Sequence, residues 1–295
     1  MSDESQTHAQ SNLLHLQLNR RNANKCSAAS SCGYLWAEWE NLRNVLRTRL
    51  RNGETVFGIN YSIGSPEVSE AIGNLGFDWV NFDMQHTQMA TETVQTLIQV
   101  MSYSQTTPIV RVVSNDLGLI NRALDIGGHA VIVPLVNSRE DAERAIRFSR
   151  YPPKGLRSWG PTRPLLRDPD YAATADSEVM VIPQIETEMG LNNLEAIVCT
   201  EGIEAVFLGP MDLSMSLGVF RNFDSPKYLK ASETIVSICS AHGVFPGLLA
   251  PAGPLERSIE QGFRLICLGR DLPMMVDSFS RLLKNAKGLA CRNVL

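Results

Sequence analysis

The chain has 295 residues and a net charge of −4, with 20% charged and 44% hydrophobic residues, an ordinary balance for one large globular domain or two small ones. No basic run stands out, which argues against nucleic acid as a partner, and no apolar stretch approaches the roughly 18 residues of a membrane helix. Six cysteines fit no zinc spacing: Cys26 and Cys32 lie in a Ser/Ala-rich leader, while Cys199, Cys239, Cys267 and Cys291 read as core thiols, so a reducing, cytoplasmic compartment is expected.

Residues 1–35 are polar, rich in Ser, Asn and Gln, and lack periodic apolar content, so they are expected to form a disordered extension ahead of a folded domain over 36–295. Arg20, Arg21 and the serines hint at an organelle presequence, but Asp3 and Glu4 oppose it. Trp36 to Leu50 reads as an amphipathic helix ended by Asn52-Gly53. From there strands and helices alternate. Val56–Ile59 is the first strand, followed by a helix over Pro66–Leu75. Trp79–Phe82 is the second, with a helix over Thr91–Tyr103. Ile109–Val112 and a helix over Leu117–Ile126 come next, then Ala130–Pro134 and a helix over Arg139–Arg150. Val179–Ile182 is followed by a helix over Leu191–Cys199. Ala205–Leu208 leads to a short helix at Leu213 and a longer one over Lys227–Ala241. Val244–Leu248 precedes Leu255–Gln261, and Leu265–Leu268 precedes a closing helix over Met274–Leu289.

Eight strands each followed by a helix, over about 250 residues, predict a (β/α)8 TIM barrel, an α/β fold. A doubly wound open sheet would stop earlier and carry a Gly-rich first turn, which this sequence lacks. Barrel active sites lie at the C-terminal ends of the strands. Few polar residues stand there: Asp83 and His86 after the second strand, Arg111 in the third, Gln184 and Glu186 after the fifth, and Asp212 and Ser214 after the sixth.

Glu186 and Asp212 each close a buried apolar run and are separated by 26 positions, about one strand-plus-helix unit. Buried acids need partners, and a pair with open positions suits a hard divalent cation: Mg2+, Mn2+ or Co2+. The competing reading makes them salt-bridged structural acids or helix caps. A 2-oxo acid offers adjacent oxygens to such a cation, Arg111 offers charge to a developing enolate oxygen, and His86, oriented by Asp83, would move the proton. No lysine falls at a strand end, which disfavours an imine route.

Gln184-Ile185-Glu186-Thr187 followed by Gly209-Pro210-Met211-Asp212-Leu213-Ser214, together with Asp83-x-x-His86, Val110-Arg111-Val112 and Arg150-Tyr151-Pro152-Pro153-x-Gly155-x-Arg157, resembles the HpcH/HpaI family of class II, metal-dependent pyruvate aldolases over roughly Leu42 to Leu289. The resemblance implies that Glu186 and Asp212 bind the metal and that Arg111 contacts the ketone oxygen of pyruvate. It also implies that Asp83 and His86 form a proton-transfer dyad, that Gln184 supports the substrate, and that backbone amides around Met211 and Asp212 hold its carboxylate, with Ser214 nearby. It further implies cleavage or formation of a 4-hydroxy-2-oxo acid with an aldehyde partner. The implied assembly is a homo-oligomer, a hexamer built as a trimer of dimers, with Met274–Leu289 as the helix exchanged between copies.

The family's second strand commonly ends D-G-E-H, whereas this chain reads Asp83-Met84-Gln85-His86, which puts the standard aldolase substrates in doubt. Oxaloacetate decarboxylation, enolate trapping as in macrophomate synthase, a CoA-ester lyase and a catalytically silent barrel remain as alternatives. The long connection from Tyr151 to Ala175, with Arg157, Trp159, Arg163 and Arg167, offers a cover for the pocket and a receptor for an anionic second substrate; the competing reading makes Arg157 and Arg163 loop-ordering or interface residues. His129 is expected at the opposite rim.

Overall fold

The computed structural model describes residues 44–249 and 254–292; the expected extension over residues 1–35, with Cys26 and Cys32, lies outside the described residues, as does the side chain of Cys291. Eight parallel strands close in sequence order: β1 (Val56–Tyr61), β2 (Trp79–Asp83), β3 (Thr107–Arg111), β4 (Ala130–Val133), β5 (Met180–Ile185), β6 (Ala205–Leu208), β7 (Phe245–Leu249) and β8 (Leu265–Arg270). The fold is the expected (β/α)8 barrel.

The side-chain period of two along a strand sorts each residue to the barrel interior or to the helix layer. In β2, Trp79 joins the interior cluster with Ile109, Ile132, Ile182, Phe207 and Leu265, whereas Val80 and Phe82 pack outward against helical residues such as Val94, Leu97 and Ile120. The same phase carries Asn81 and then Asp83 inward toward the C-terminal mouth. In β3 it turns Arg111 inward after Ile109, and in β5 it turns Gln184 inward after Met180 and Ile182. Trp79 fits in the barrel interior because its neighbour is Gly58, where a Cβ would lie 2.1 Å from the indole. Its ring meets Phe207 edge-on at 6.2 Å between centroids.

The helices start where the sequence offers side-chain caps: Ser65, Asp116, Ser138, Thr187 and Ser225 each accept from a backbone N–H of the first turn. The first described helix is Val45–Arg51, which begins after the extended, capping Asn44; the part of the expected helix before Asn44 lies outside the described residues. Asn44 also donates to the carbonyls of His129 and Glu178, both at 3.0 Å, which fastens this helix across the N-terminal end of the barrel. The helix expected over Leu191–Cys199 is two, Glu188–Asn192 and Leu194–Val198, broken at Asn193. Cys199 caps the second and is exposed, correcting its reading as a core thiol; Cys239 and Cys267 are buried as expected. The closing helix is longer than expected, Asp271–Arg292. Among the described residues, no helix is long and apolar enough to cross a membrane.

The segment from Tyr151 to Ala175 does not cover the mouth. It follows a helix and precedes β5, so it belongs to the N-terminal end, and much of it is helical (Thr162–Leu165 and the start of Tyr171–Glu178). Its arginines are engaged there. Arg157 is fully buried, donates to Asp125 Oδ1 at 2.9 Å and to the Tyr171 hydroxyl at 3.1 Å, and lies over the Tyr151 ring. Arg163 donates to Ser102 Oγ and Arg167 to the Ser102 carbonyl, both at 2.7 Å. His129 sits at this end as expected; burial, with the charges of Arg167 and Arg163, lowers its pKa to about 4.

Candidate active site

At the C-terminal mouth, Asn60, Trp79, Asn81, His86, Arg111, Gln184, Gly209, Asp212 and Arg270 line a cavity of about 210 Å³. Asp83, at the end of β2, has no exposure to solvent. β2 and β3 pair with Asp83 directly opposite Arg111, and their side chains meet in a two-pronged ion pair: Nε to Oδ1 at 2.9 Å and Nη2 to Oδ2 at 2.5 Å. A planar guanidinium on a carboxylate in this way is fixed in orientation as well as in place. Burial raises the Asp83 carboxyl pKa, but the hydrogen bonds and charge of Arg111, the His86 backbone N–H and the charge of Arg270 together hold it below the usual carboxylate range.

The third nitrogen of Arg111 points along the mouth, Nη1 donating to Gln184 Oε1 at 3.4 Å. The Gln184 amide donates in turn to Glu186 Oε2, and the other Glu186 oxygen accepts the Leu135 backbone N–H at 2.8 Å. Leu135 makes that contact from a left-handed backbone, φ 54°, a conformation that costs on the order of 1–3 kcal/mol outside glycine. Glu186 is 2% exposed and has no ion-pair partner among the described residues. Burial raises its pKa, the Leu135 amide lowers it, and the charge of Asp212 raises it further; the net shift is upward. Asp212 is exposed, stands in the first turn of the helix Pro210–Ser216, and likewise has no ion-pair partner among the described residues. The first hydrogen bond of that helix is Leu213 N–H to the Gly209 carbonyl, so the Met211 and Asp212 amides have no intrahelical acceptor. Gly209 is required where it is: a Cβ would lie 2.8 Å from Gln184 Nε2 and 3.0 Å from Glu186 Oε2.

The structure thus gathers Asp83, His86, Arg111, Gln184, Glu186, Met211 and Asp212 at one mouth. Two expectations need correction. Asp83 meets His86 at the main chain, accepting its backbone N–H at 3.3 Å and that of Gln85 at 3.1 Å, while its remaining hydrogen bonds go to Arg111; the His86 ring stands free at the rim. Ser214 is buried with its hydroxyl bound to the Met211 carbonyl and the Arg221 amide, so it braces the helix and does not face the cavity.

Sequence reasoning missed Asn60, Asn81 and Arg270. Asn81 donates to Asn60 Oδ1, its register partner on the adjacent strand β1. Arg270 ends β8, with Nη2 3.7 Å from Asp83 Oδ2. The signal that found the other residues, a polar side chain at a strand end, also marks Asn60 and Arg270, but β1 and β8 run two residues beyond their expected limits.

Among the described residues, no three His, Cys, Asp or Glu side chains converge on a possible metal position, so a cation here would rest on the two carboxylates and on ligands from outside the protein. The donor set fits a hard divalent ion: an inaccessible carboxylate with no ion-pair partner among the described residues, and a second carboxylate close enough to raise its pKa, both offering oxygen.

Polar residues gathered at the C-terminal ends of a closed parallel barrel define a barrel enzyme. The chain matches the family model described as HpcH/HpaI aldolase/citrate lyase over residues 61–278, and it belongs to that family, one of lyase-class enzymes. It is 32% identical over 243 residues to 5-keto-4-deoxy-D-glucarate aldolase of Shigella sonnei, covering 81% of this chain and 95% of that one. Its fold is similar to a family protein from Burkholderia cenocepacia (TM-score 0.78, 30% identity, 83% of this chain and 99% of that one). It is similar also to macrophomate synthase (TM-score 0.77, 25% identity, 90% and 96%).

Proposed function

We propose that this protein is a divalent-metal-dependent carbon–carbon lyase that cleaves, or forms, a 4-hydroxy-2-oxo acid by way of the pyruvate enolate. The observation that carries the reading is the buried Glu186, with no ion-pair partner among the described residues and close enough to Asp212 to feel its charge, beside an arginine locked in place by Asp83. Glu186 and Asp212 would hold the cation. When bound, such an ion draws charge from a ketone oxygen and acidifies the neighbouring carbon.

This chain's own residues then divide the work. Arg111 places a fixed positive charge beside the oxygen on which charge develops; because Asp83 already orients it, little reorganisation accompanies the reaction. Gln184 keeps Arg111 and Glu186 in register. The Met211 and Asp212 amides are available to the pyruvate carboxylate. His86, exposed at the rim, transfers the proton without help from the Asp83 carboxylate, directly or through water. In the joining direction, the pyruvate methyl carbon loses a proton, its electron pair forms the new bond to the aldehyde carbon, and the aldehyde oxygen takes up a proton.

Oxaloacetate decarboxylation would yield the same enolate from the same residues; the similarity in fold to macrophomate synthase is the observation in its favour. Pyruvate released from oxaloacetate faster than from 4-hydroxy-2-oxo acids would select it. A cytoplasmic location belongs to the same proposal, supported by the free thiols of Cys199, Cys239 and Cys267. So does self-assembly: Val276, Phe279 and Leu283 form an exposed apolar stripe along the closing helix, of the kind a second copy would cover. The reaction is tested by incubating wild type with pyruvate and a series of aldehydes, with Mg2+ or Mn2+ and with chelator. Metal-dependent carbon–carbon bond formation supports the reading, and equal turnover in chelator overturns it.

A further inference from the structure

Cys199 is exposed and takes no part in the barrel mouth, but it does not stand alone. It caps the helix Leu194–Val198, and His242 caps the helix Pro226–Ala241, which packs beside it. The two caps meet, with Cys199 Sγ 3.5 Å from His242 Nδ1. On the other side of the ring, Glu195 Oε1 stands 3.4 Å from Nε2. Cys199 and Glu195 are four residues apart on one helical turn, so they hold the imidazole between them. An acid at Nε2 draws the ring proton to that nitrogen and leaves Nδ1 as an acceptor facing the sulfur. Nucleophile, base and orienting acid in this order are what a reactive thiol needs. His242 also closes a helix of 16 residues, whose carbonyl end favours positive charge developing on the ring.

The thiol has a cleft beside it. Thr200, the next residue, and Arg139, close enough to Cys199 for their charges to interact, both line a cleft of about 600 Å³. Arg147, from the helix Arg139–Ser149, and Lys154 line it too, and the lining holds more cations than acids. Two of its arginines are engaged: Arg139 pairs with Glu143 at 2.8 Å and Arg47 with Glu204 at 2.5 Å. Arg147 and Lys154 are exposed and have no ion-pair partner among the described residues. A guest that carries carboxylates matches them.

We propose that Cys199 is a thiol-exchange site for a small disulfide that carries carboxylates, with His242 as its base, Glu195 behind the base, and the cleft as the seat of the incoming molecule. Cys199 passes its proton to His242 Nδ1, and the thiolate attacks one sulfur of the disulfide. That S–S bond breaks as the new one to Cys199 forms, and the departing thiolate takes the proton from His242. Cys199 is oxidised and the released half is reduced, so no further oxidant enters, and a free thiol reverses the step. The site does not depend on the reaction proposed for the barrel mouth.

The test incubates the full chain with glutathione disulfide at pH 7.5 and reads the rate of mixed-disulfide formation at Cys199 by peptide mass spectrometry. The reference is a synthetic peptide of residues 195–203, which has the thiol without His242 or the cleft. Cys199 in the protein should react about tenfold faster, the gain open to an ordinary thiol that is roughly one-tenth ionised at this pH. His242→Asn should bring the protein down to about the peptide's rate, and Glu195→Gln should cost about threefold. Cystamine, a cationic disulfide, tests the cleft. Arg147→Gln combined with Lys154→Gln should lower the rate with glutathione disulfide, relative to cystamine, by about threefold to tenfold. A protein rate no higher than the peptide's overturns the proposal, whether or not the variants fold. So does a rate unchanged in His242→Asn, which would leave Cys199 an ordinary exposed thiol. A ratio of the two disulfides unmoved by the paired Arg147 and Lys154 changes overturns it as well, because the cleft would then not seat the incoming molecule.

Discussion

Replacing Glu186 by Gln separates its role as a metal ligand from its place in the fold. In the native protein the buried carboxylate accepts two hydrogen bonds, from Leu135 N–H and from Gln184, and faces Asp212. Its raised pKa fixes the sign of its contribution. An acid whose folded-state pKa lies above its unfolded one destabilises the fold as pH rises past the ordinary glutamate value, and the loss is complete above the folded-state pKa. The Gln variant removes that loss and the repulsion from Asp212. It keeps the bond from Leu135 but sets one amide NH₂ against that of Gln184, giving up roughly one hydrogen bond, about 1 kcal/mol. The opposing effects leave the chelated variant within about 1 kcal/mol of chelated wild type. Metal then distinguishes them. A ligand at a hundred times its Kd stabilises the native state by about 2.7 kcal/mol, which raises Tm by roughly 5–10 °C for a domain of this size. Thermal unfolding followed by circular dichroism at pH 7.5, with Mn2+ and with chelator, should show that increment in wild type and none in Glu186→Gln. A full increment in the variant, or none in wild type, refutes the assignment of Glu186 to the cation.

Three further outcomes follow from the same geometry. Arg111→Ala should lower kcat by roughly a hundredfold to a thousandfold and destabilise the protein by about 3–5 kcal/mol in urea, because Asp83 is fully buried and Arg270 lies too far to replace the lost hydrogen bonds; unchanged stability would show that the ion pair is not what holds Asp83. The Asp83 pKa is held down in the fold, so its stabilisation is present at neutral pH and lost as pH falls below the ordinary value of 3.8. Asp83→Asn should therefore lose less stability than wild type between pH 6 and pH 3, and parallel pH profiles would contradict this. Phe279→Glu in the exposed stripe should lower the mass measured by light scattering, a result that monomeric wild type would exclude.

The sequence carried the barrel and most of its mouth because period-two alternation is local. Once Trp79 is placed inside, Asp83 must face the mouth, and Ile109 does the same for Arg111. What depended on pairing between strands was hidden. Arg270 is outward by counting along β8 and inward only through the extra residue opposite Asn60. Asp83 and His86, three residues apart, resemble a side-chain dyad, yet at that spacing a carboxylate can also cap the following amides, as happens here. The arginines between Arg157 and Arg167 look like anion receptors in one dimension. In three, they satisfy Asp125, Tyr171 and Ser102 at the far end of the barrel. Ser214 shares its short helix with Asp212 but turns toward the buried side.

The central claim is that Glu186, Asp212 and Arg111 make this mouth a centre for forming the pyruvate enolate. Proton NMR of pyruvate in D₂O with the wild-type protein tests it without knowledge of the electrophile. The account predicts loss of the methyl signal at a catalysed rate with Mg2+ or Mn2+, return to the uncatalysed rate in chelator, and no catalysed exchange in Glu186→Gln. Catalysed exchange that persists in chelator, or wild type that exchanges nothing under any divalent metal, would contradict it.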